Sequence, residues 1–303
     1  MDLFDLHCDT ISKCAENGTP LYDGDLAVNI VKGGVYDRRC QVSAMFIPDK
    51  YRGKNAAAYY KKLRDCFYEQ IRQNSGRIVF CRNADDIEKT VCRKKQTAVL
   101  SVESGAALAG NADNVALLAA DGVRIMSLTW NGENELACGV KGGDGGITLL
   151  GRRVVREMER CGILVDVSHL NDHGFWELCD MGVSPIVATH SNLRSVTDHP
   201  RNLTDDQFRA IVRTGGIVGL NFYTDFLGDD PFDCAWRHIY TMLSLGGEDT
   251  VAIGSDFDGA DIDPSLDSVE KVSLLAEYLL SRSLSETVVN KIMFNNALRV
   301  LGE

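Results

Sequence analysis

A histidine and a carboxylate lie two residues apart within the opening segment MDLFDLHCDT. The short apolar run before them predicts a strand, and residues two apart on a strand point to the same side. His7 and Asp9 could therefore aim at one point, and imidazole and carboxylate are common ligands of a metal ion. Taken alone, the segment is also open to a plainer interpretation, in which the aspartate caps a helix beside a solvated histidine.

Other polar residues with useful chemistry also follow short apolar runs. Each could be an ordinary polar strand terminus, but together they occupy equivalent places in successive units. In a parallel barrel the carboxyl ends of all the strands meet at one face, which is where catalytic groups converge. These further residues are Glu103, Trp130, Asn131, His169, His190 and Asp256. The remaining histidines, His173, His199 and His238, are interpreted as surface or structural residues.

The elements that must position these residues alternate regularly along the chain. Continuous apolar character predicts parallel strands that are buried on both faces, at Leu3–His7, Val42–Ile47, Ala98–Val102, Val123–Leu128, Ile163–Ser168, Pro185–Thr189, Gly216–Leu220 and Val251–Gly254. Amphipathic patterns predict helices at Ala56–Ser75, Asn114–Ala120, Leu149–Cys161, Asp172–Met181, Asp205–Arg213, Phe232–Leu245, Ser268–Arg282 and Ser285–Phe294. Eight such units predict a (β/α)8 TIM-type barrel that forms a single domain over residues 1–303. A doubly wound open sheet is the main rival, but no GxGxxG motif follows the first strand.

The ligand set at the predicted barrel mouth favours a divalent metal ion. Three of the six histidines fall at strand ends together with two or three carboxylates, a set of nitrogen and oxygen donors that suits zinc. Two neighbouring ions would need a bridging carboxylate, for which Glu103 is the candidate. Such a site activates water and polarises a carbonyl, which indicates hydrolytic chemistry.

Composition limits the partners and the location of the protein. The formal net charge of −11 argues against nucleic acid or an anionic membrane surface as a partner. No apolar run approaches the roughly 20 residues of a membrane span, and no secretory signal is recognised before the first strand, so the cytoplasm is predicted. The ten cysteines contain no CxxC pair and are predicted to be small buried residues in a reducing compartment. They are Cys8, Cys14, Cys40, Cys66, Cys81, Cys92, Cys138, Cys161, Cys179 and Cys234.

Several segments together resemble a known family. The sequence is similar to the membrane dipeptidase (renal dipeptidase-like) family of zinc peptidases, in its bacterial form. The matching segments run in family order from the first residues almost to the last: DLHCDT, SVESG, SLTWNGEN, VDVSHL, ATHSN, HPRNLTDDQ, GIVGLNFY, IGSDFDG and NNALRVL.

The resemblance implies a barrel with two zinc ions and a role for each matching residue. One zinc would be bound by His7 and Asp9 and the other by His169 and His190, with Glu103 as the bridge. A hydroxide between the metals would attack the peptide carbonyl of a dipeptide. Asp256 would act as the general acid and base, and Arg201 would hold the free carboxylate of the substrate with its planar fork of donors. The resemblance also suggests a homodimer.

The segment after the fourth strand departs from the mammalian members of the family. Their segment reads LTH, whereas Trp130 stands at the place of that histidine here. An indole N–H donates a hydrogen bond but cannot accept one or carry a charge, so the contact with the reacting carbonyl differs. Asn131 and Tyr223 are further candidates for contact with the substrate, although loop asparagines are often turn formers.

Two other functions are compatible with a metal-binding barrel. A one-metal amidohydrolase or deaminase is the first, but such enzymes usually carry HxH on the first strand, whereas this chain has His7-Cys8-Asp9. A barrel retained as a binding or structural protein is the second. Metal ligands at four strand ends argue against it, because a non-catalytic barrel has no physical need of them.

Overall fold

The computed structural model describes residues 1–91 and 95–302. Within these residues, nine strands form a parallel sheet: β1 (Asp2–Cys8), β2 (Arg38–Phe46), β3 (Ile78–Phe80), β4 (Gln96–Glu103), β5 (Val123–Ser127), β6 (Leu164–Asp166), β7 (Ile186–Ala188), β8 (Ile217–Leu220) and β9 (Val251–Ile253). Eight of them close into a ring, because β1 pairs with both β2 and β9 and the pairing of β2 with β4 completes the circle. The predicted (β/α)8 TIM-type barrel is confirmed.

Among the strands of the described residues, β3 is the one that the sequence does not predict. It pairs with the first residues of β4, Gln96 to Ala98, while β5 pairs further along the same strand from Leu100. It therefore extends the sheet at the amino end of the barrel and is not one of the eight ring strands. Its three residues are too few to give a periodic signal.

Helices surround the ring and follow the predicted order. They are α1 (Thr10–Asn17), α2 (Gly53–Gln73), α3 (Ala84–Val91), α4 (Asn114–Ala120), α5 (Leu149–Cys161), α6 (Asp172–Asp180), α7 (Asp205–Arg213), α8 (Thr224–Leu227), α9 (Pro231–Ser244), α10 (Val272–Ser281), α11 (Glu286–Asn290) and α12 (Asn296–Val300). The predicted helix ending at Phe294 is a short α11 that runs into a π-helical segment, Lys291–Asn295. The helices α1, α3, α8 and α12 were not predicted, and each is eight residues or shorter.

Two apolar layers build the core. The barrel interior holds a cluster that includes Phe4, Leu6, Val42 and Val99, and it is closed at its amino end by Phe294, whose ring lies 5.8 Å from that of Phe4. A larger cluster fills the space between the barrel and the helices. The polar candidates from the sequence lie at the opposite end of the barrel, where the strands have their carboxyl ends.

A β-bulge in β1 sets the direction of His7. Asp5 pairs with Gln41 and Cys8 pairs with Ser43, so Leu6 and His7 together face the single residue between them on β2. Strict alternation would place successive residues on opposite sides, but the extra residue of a bulge breaks this pattern. Leu6 therefore packs in the barrel interior, and His7 turns towards the mouth directly above it.

The described cysteines are free thiols. Five are buried, namely Cys8, Cys14, Cys40, Cys81 and Cys138, and the other four described cysteines are half-buried. Cys92 lies outside the described residues. Over residues 1–91 and 95–302, no helix has both the length and the apolar character required to cross a lipid bilayer.

Candidate active site

Five side chains from different strand ends meet at the barrel mouth. His7 lies near the end of β1, Glu103 is the last residue of β4, His169 and His190 follow β6 and β7, and Asp256 follows β9. The first four are at most 6% exposed, whereas Asp256 is half-buried. Asp9, at the N-cap of α1, joins them. The sequence prediction that these residues come together is therefore consistent with the observed geometry.

Glu103 lies between two groups of ligands. Its Oε2 is 3.4 Å from Nε2 of His7, and its Oε1 is 2.7 Å from Nε2 of His169 and 3.9 Å from Nε2 of His190. The two carboxylate oxygens thus face opposite groups, an arrangement in which one carboxylate can bridge two ions.

The group around His7 is rich in carboxylates. Nε2 of His7 lies 3.6 Å from Oδ2 of Asp9 and 3.8 Å from Oδ1 of Asp256. Nε2 of His7 and Oδ1 of Asp9 are buried and have no hydrogen-bond partner. Two sets of three ligand atoms, His7–Glu103–His190 and His7–Asp9–Asp256, are close enough to hold an ion.

The ring of His169 is oriented by Asn131. Nδ1 of His169 lies 2.9 Å from Oδ1 of Asn131, which can only accept, so Nδ1 carries the proton. Nε2 of His169 then presents a lone pair to Oε1 of Glu103 and lies 2.9 Å from Nε2 of His190. Atoms with free lone pairs converge at this point, and such atoms are the ligands that a cation requires. The residues therefore fit a metal ion on the chemistry of their atoms.

Electrostatics point the same way. Burial, together with the charge of Arg201, lowers the pKa of His169 well below its ordinary value. Burial also lowers the pKa of His190, so both rings are neutral, the form that binds metal. Burial by itself lowers the pKa of His7, but the Asp9 and Glu103 carboxylates together raise it well above its ordinary value.

The carboxyl groups repel one another in this buried place. Burial raises the pKa of Glu103, and the charge of Asp9 raises it further. Burial also raises the pKa of Asp256, again with a contribution from Asp9. Added positive charge among these groups is therefore favourable, which is the effect of a bound divalent cation.

Backbone strain is concentrated around the site. Ser104, His169, Asp256 and Asp258 all have a positive φ, between 66° and 87°. Residues other than glycine seldom adopt this conformation, and such residues cluster at functional sites. Three of these residues, His169, Asp256 and Asp258, line the mouth of the barrel.

A cavity of about 530 Å³ opens above the ligands. Its wall includes the predicted substrate contacts Trp130, Asn131 and Tyr223, together with Phe46 and Asp256. The indole of Trp130 packs edge-on against Phe46, with ring centres 5.0 Å apart. The hydroxyl of Tyr223 donates to Asp225 at 2.7 Å. Tyr223 therefore contributes its aromatic ring to the cavity wall, and its hydroxyl already has a partner.

Arg201 is not among the described residues that line this cavity. It is only 5% exposed, and its Nη2 donates to the carbonyl oxygen of His190 at 3.2 Å. Its Nε is buried and has no hydrogen-bond partner. The guanidinium also lies 5.4 Å from the ring of Phe226. A buried cation with a free donor is suited to an anionic group.

Sequence reasoning missed two residues that contact the site. Asn221 follows β8 directly and donates to Oδ2 of Asp256 at 2.9 Å. Thr189 follows β7, and its hydroxyl lies 2.8 Å from Nδ1 of His190. Each is the first residue after its strand, close to the places that identified the other candidates. A hydroxyl or an amide, however, is a less distinctive sequence signal than a histidine.

Comparison with known proteins agrees with this geometry. The sequence profile of the membrane dipeptidase family, peptidase family M19, matches residues 1–303. An uncharacterised protein from the pqqA 5′ region of Klebsiella pneumoniae is 35% identical over 245 residues, covering 76% of this chain and 90% of that protein. An uncharacterised dipeptidase of Schizosaccharomyces pombe is 31% identical over 82% of this chain, but the match spans only 59% of the yeast protein.

Solved structures give the same result. A metallopeptidase from Rhodobacter sphaeroides, bound to a phosphinate mimic of the dipeptide L-Ala-D-Ala, has a TM-score of 0.93 and 26% identity, with 99% of this chain and 98% of that chain covered. A dipeptidase of family M19 also has a TM-score of 0.93 and 26% identity, with 100% and 99% covered. The resemblance predicted from the sequence motifs is confirmed. This chain belongs to the membrane dipeptidase family, peptidase family M19, and is a metal-dependent dipeptidase.

Proposed function

We propose that this protein is a two-zinc enzyme that hydrolyses dipeptides with a free C-terminal carboxylate. The observation that carries the proposal is the position of Glu103, whose two oxygens face separate groups of ligand atoms. His7 and Asp9 would hold one zinc ion, His169 and His190 the other, and Glu103 both. When bound, the two ions would polarise the scissile carbonyl and lower the pKa of the attacking water.

Asp256 would transfer the proton. Asn221 occupies its Oδ2, and its Oδ1 faces the ligand group 3.8 Å from Nε2 of His7. The carboxylate lines the cavity, so it is within reach of a water at the ligands and of a peptide above them. Asp256 would take a proton from the water and deliver it to the leaving amine. Its raised pKa suits both steps, since a base must also be able to act as an acid.

Arg201 would neutralise the substrate carboxylate. Its buried charge and its unpartnered Nε support this role, because a guanidinium can hold a carboxylate with two parallel hydrogen bonds. Its Nη2 donates to the carbonyl oxygen of His190, so the carboxylate would bind on the side of the site next to His190.

The cavity limits the size of the substrate. A volume of about 530 Å³ is within the usual range for small-molecule sites. Trp130 and Tyr223 would contact the bound dipeptide from the cavity wall, and Asn131 would act mainly by holding His169. The R. sphaeroides relative binds a mimic of L-Ala-D-Ala, so we include a D-residue at the second position among the substrates.

A dipeptide panel tests the reaction class. The purified protein is stripped of metal with a chelator and reloaded with zinc, and hydrolysis of L-Ala-L-Ala, L-Ala-D-Ala and their N-acetylated and C-amidated forms is measured. We expect zinc to restore cleavage of the free dipeptides only. No cleavage of any dipeptide by protein that carries two zinc ions would contradict the proposal.

A substitution in the bridge tests the metal site. Glu103→Gln preserves shape but replaces one carboxylate oxygen by an amide nitrogen, which is not a metal ligand. We expect the zinc content to fall below two per chain and dipeptide hydrolysis to be lost. Glu248→Gln is the matched control, because Glu248 is exposed and pairs with Lys291 away from the mouth. A wild-type content of one zinc per chain would favour the alternative amidohydrolase or deaminase.

Three further predictions from the sequence belong to this proposal. We propose that residues 1–303 form one domain, that the protein acts in the cytoplasm, and that it forms a homodimer. Size-exclusion chromatography with light scattering tests the last of these, since a dimer has twice the chain mass of 33.3 kDa.

A further inference from the structure

The side of the His190 ring that faces away from the ligands is held by a buried chain of hydrogen bonds. Oγ1 of Thr189 lies 2.8 Å from Nδ1 of His190 and donates to Oδ2 of Asp166 at 2.5 Å. The three residues are 0%, 1% and 4% exposed in the order His190, Thr189 and Asp166. Bulk water therefore cannot replace any member of the chain.

The direction of these hydrogen bonds decides which ring nitrogen carries the proton. A threonine hydroxyl has one hydrogen, and here the carboxylate of Asp166 receives it. Towards His190 the same oxygen can only accept, so Nδ1 of the ring must donate. Nε2 then has its lone pair free, and this atom points towards Nε2 of His169 and Oε1 of Glu103.

Asp166 is itself held in one orientation. Its Oδ1 accepts from the backbone N–H of Ser168 at 2.9 Å and from that of Thr189 at 3.1 Å. The bond from Ser168 is local to the end of β6, and the bond from Thr189 joins the end of β6 to the end of β7. Together they leave only Oδ2 for the threonine hydroxyl. The carboxylate cannot rotate without losing both backbone donors.

We propose that Asp166, acting through the Thr189 hydroxyl, is a positioning residue that holds His190 in the Nδ1–H tautomer with Nε2 directed to the metal site. The tautomer follows from the hydrogen bonds within this chain. Its effect on zinc binding rests on the function proposed above. At the neighbouring His169, whose Nε2 lies 2.9 Å from that of His190, the neutral amide of Asn131 takes the corresponding place at Nδ1. The two imidazoles of one site are therefore oriented by chemically different partners.

Three substitutions separate the effect of hydrogen-bond direction from the effect of side-chain size. Asp166→Asn is isosteric, and its oxygen must stay with the two backbone donors, which places the amide nitrogen against Thr189. That nitrogen donates, so the hydroxyl of Thr189 turns to donate to His190 and favours the opposite tautomer. Thr189→Val removes the hydroxyl, while Thr189→Ser keeps it.

A matched control removes a buried threonine hydroxyl elsewhere. Thr97 is 1% exposed, lies in β4 near the amino end of the barrel, and donates to the carbonyl of Arg39 at 3.0 Å. Thr97→Val therefore measures the general effect of losing one buried hydrogen bond. Circular dichroism of each full-length variant establishes that it is folded before binding is measured.

Two measurements test the proposal on the full-length protein. In the metal-free form, long-range proton–nitrogen correlation spectra report which nitrogen of His190 is protonated. Zinc affinity is measured by competition with a chromophoric chelator. We expect wild type, Thr189→Ser and Thr97→Val to show a protonated Nδ1. We expect Asp166→Asn and Thr189→Val to lose this signature and to bind zinc about 10- to 100-fold more weakly, the usual effect of removing a hydrogen-bond partner of a metal ligand.

The outcomes separate this inference from the proposed function. A protonated Nδ1 and wild-type zinc affinity in Asp166→Asn and Thr189→Val would overturn it, and so would an equal loss of affinity in Thr97→Val. If wild-type protein instead failed to hydrolyse dipeptides, the proposed function would fall, while the nitrogen spectra would still show whether Thr189 sets the tautomer.

Discussion

Asn221 donates from its Nδ2 to Oδ2 of Asp256 at 2.9 Å. The amide cannot turn over, because its own oxygen accepts from the backbone N–H of Tyr223 at 2.7 Å. One oxygen of Asp256 is therefore engaged, and the other faces His7 and the cavity. Asn221 thus determines which oxygen of the proposed acid and base is available for proton transfer.

Asn221→Ala should lower kcat for dipeptide hydrolysis about 10- to 100-fold, part of the contribution that positioned acid–base groups make. The zinc content should stay at the wild-type value, because the Asn221 side chain contacts no ligand atom of the five proposed ligands and reaches only the backbone carbonyl of His190, at 3.5 Å. Steady-state kinetics and metal analysis check both expectations. Asn296→Ala is the control, since Asn296 is a buried asparagine that bonds to the backbone of Glu248 and Val251. An equal loss of kcat in the control would show that only folding was affected.

Most of the fold, and the residues of the candidate site that meet at the barrel mouth, could be predicted from the sequence, for a physical reason. A strand buried on both faces reads as a continuous apolar run, so a histidine or a carboxylate directly after it stands out. Glu103, at the end of TAVLSV, and His190, after PIVAT, were recognised in this way. Since all the parallel strands end at one face, the position of these residues directly after strands was enough to predict that they lie close together.

The remaining features depend on backbone geometry and on partners far away in the sequence. The bulge that turns His7 to the mouth appears only in the register of β1 against β2. The partner of Thr189 is Asp166, 23 residues earlier, and no local pattern connects them. Arg201 was identified by family resemblance, and its free Nε and its burial became visible only in three dimensions.

Arg201→Lys should raise KM for dipeptides at least about tenfold, because losing one charge-assisted hydrogen bond to a carboxylate removes roughly 1.5–3 kcal/mol of binding. Lysine keeps the charge but cannot reproduce the planar fork. Zinc content should not change. Arg153→Lys is a matched control, since Arg153 is exposed and pairs with Asp113. An unchanged KM in Arg201→Lys would argue that another group holds the carboxylate.

Gly254→Ala should weaken both folding and zinc binding. A Cβ at this position would lie 1.8 Å from the carbonyl oxygen of Thr189, a distance that backbone atoms cannot accommodate without moving. Overpacking of this kind typically costs about 1–3 kcal/mol, and here the displaced residue contacts His190. Urea unfolding and zinc titration measure the two effects. Gly76→Ala, where a Cβ would meet nothing within 4 Å, should leave both unchanged; wild-type values in Gly254→Ala would show that the strand ends tolerate the shift.

His238 joins the loop after β7 to the end of α8. It is fully buried on α9, its Nδ1 accepts from the backbone N–H of Leu193 at 3.2 Å, and its Nε2 donates to the carbonyl of Leu227 at 3.1 Å. The expectation that it is a structural residue is consistent with these contacts. Burial lowers the pKa of His238 to about 4, and the bond to Leu227 opposes this only in part.

The free energy of unfolding should therefore fall as the pH is lowered from about 6.5 to about 4. In this range the unfolded chain, with a histidine pKa near 6.5, binds a proton that the folded His238 does not. His238 stabilises the fold fully above the unfolded value, and this contribution of about 3 kcal/mol is lost by pH 4. His238→Asn keeps an acceptor for Leu193 and does not titrate, so urea unfolding at pH 4, 5, 6 and 7 should give it a shallower dependence than wild type. His173→Asn, at an exposed histidine, should follow wild type. Equal slopes for His238→Asn and wild type would mean that His238 can be protonated in the folded protein.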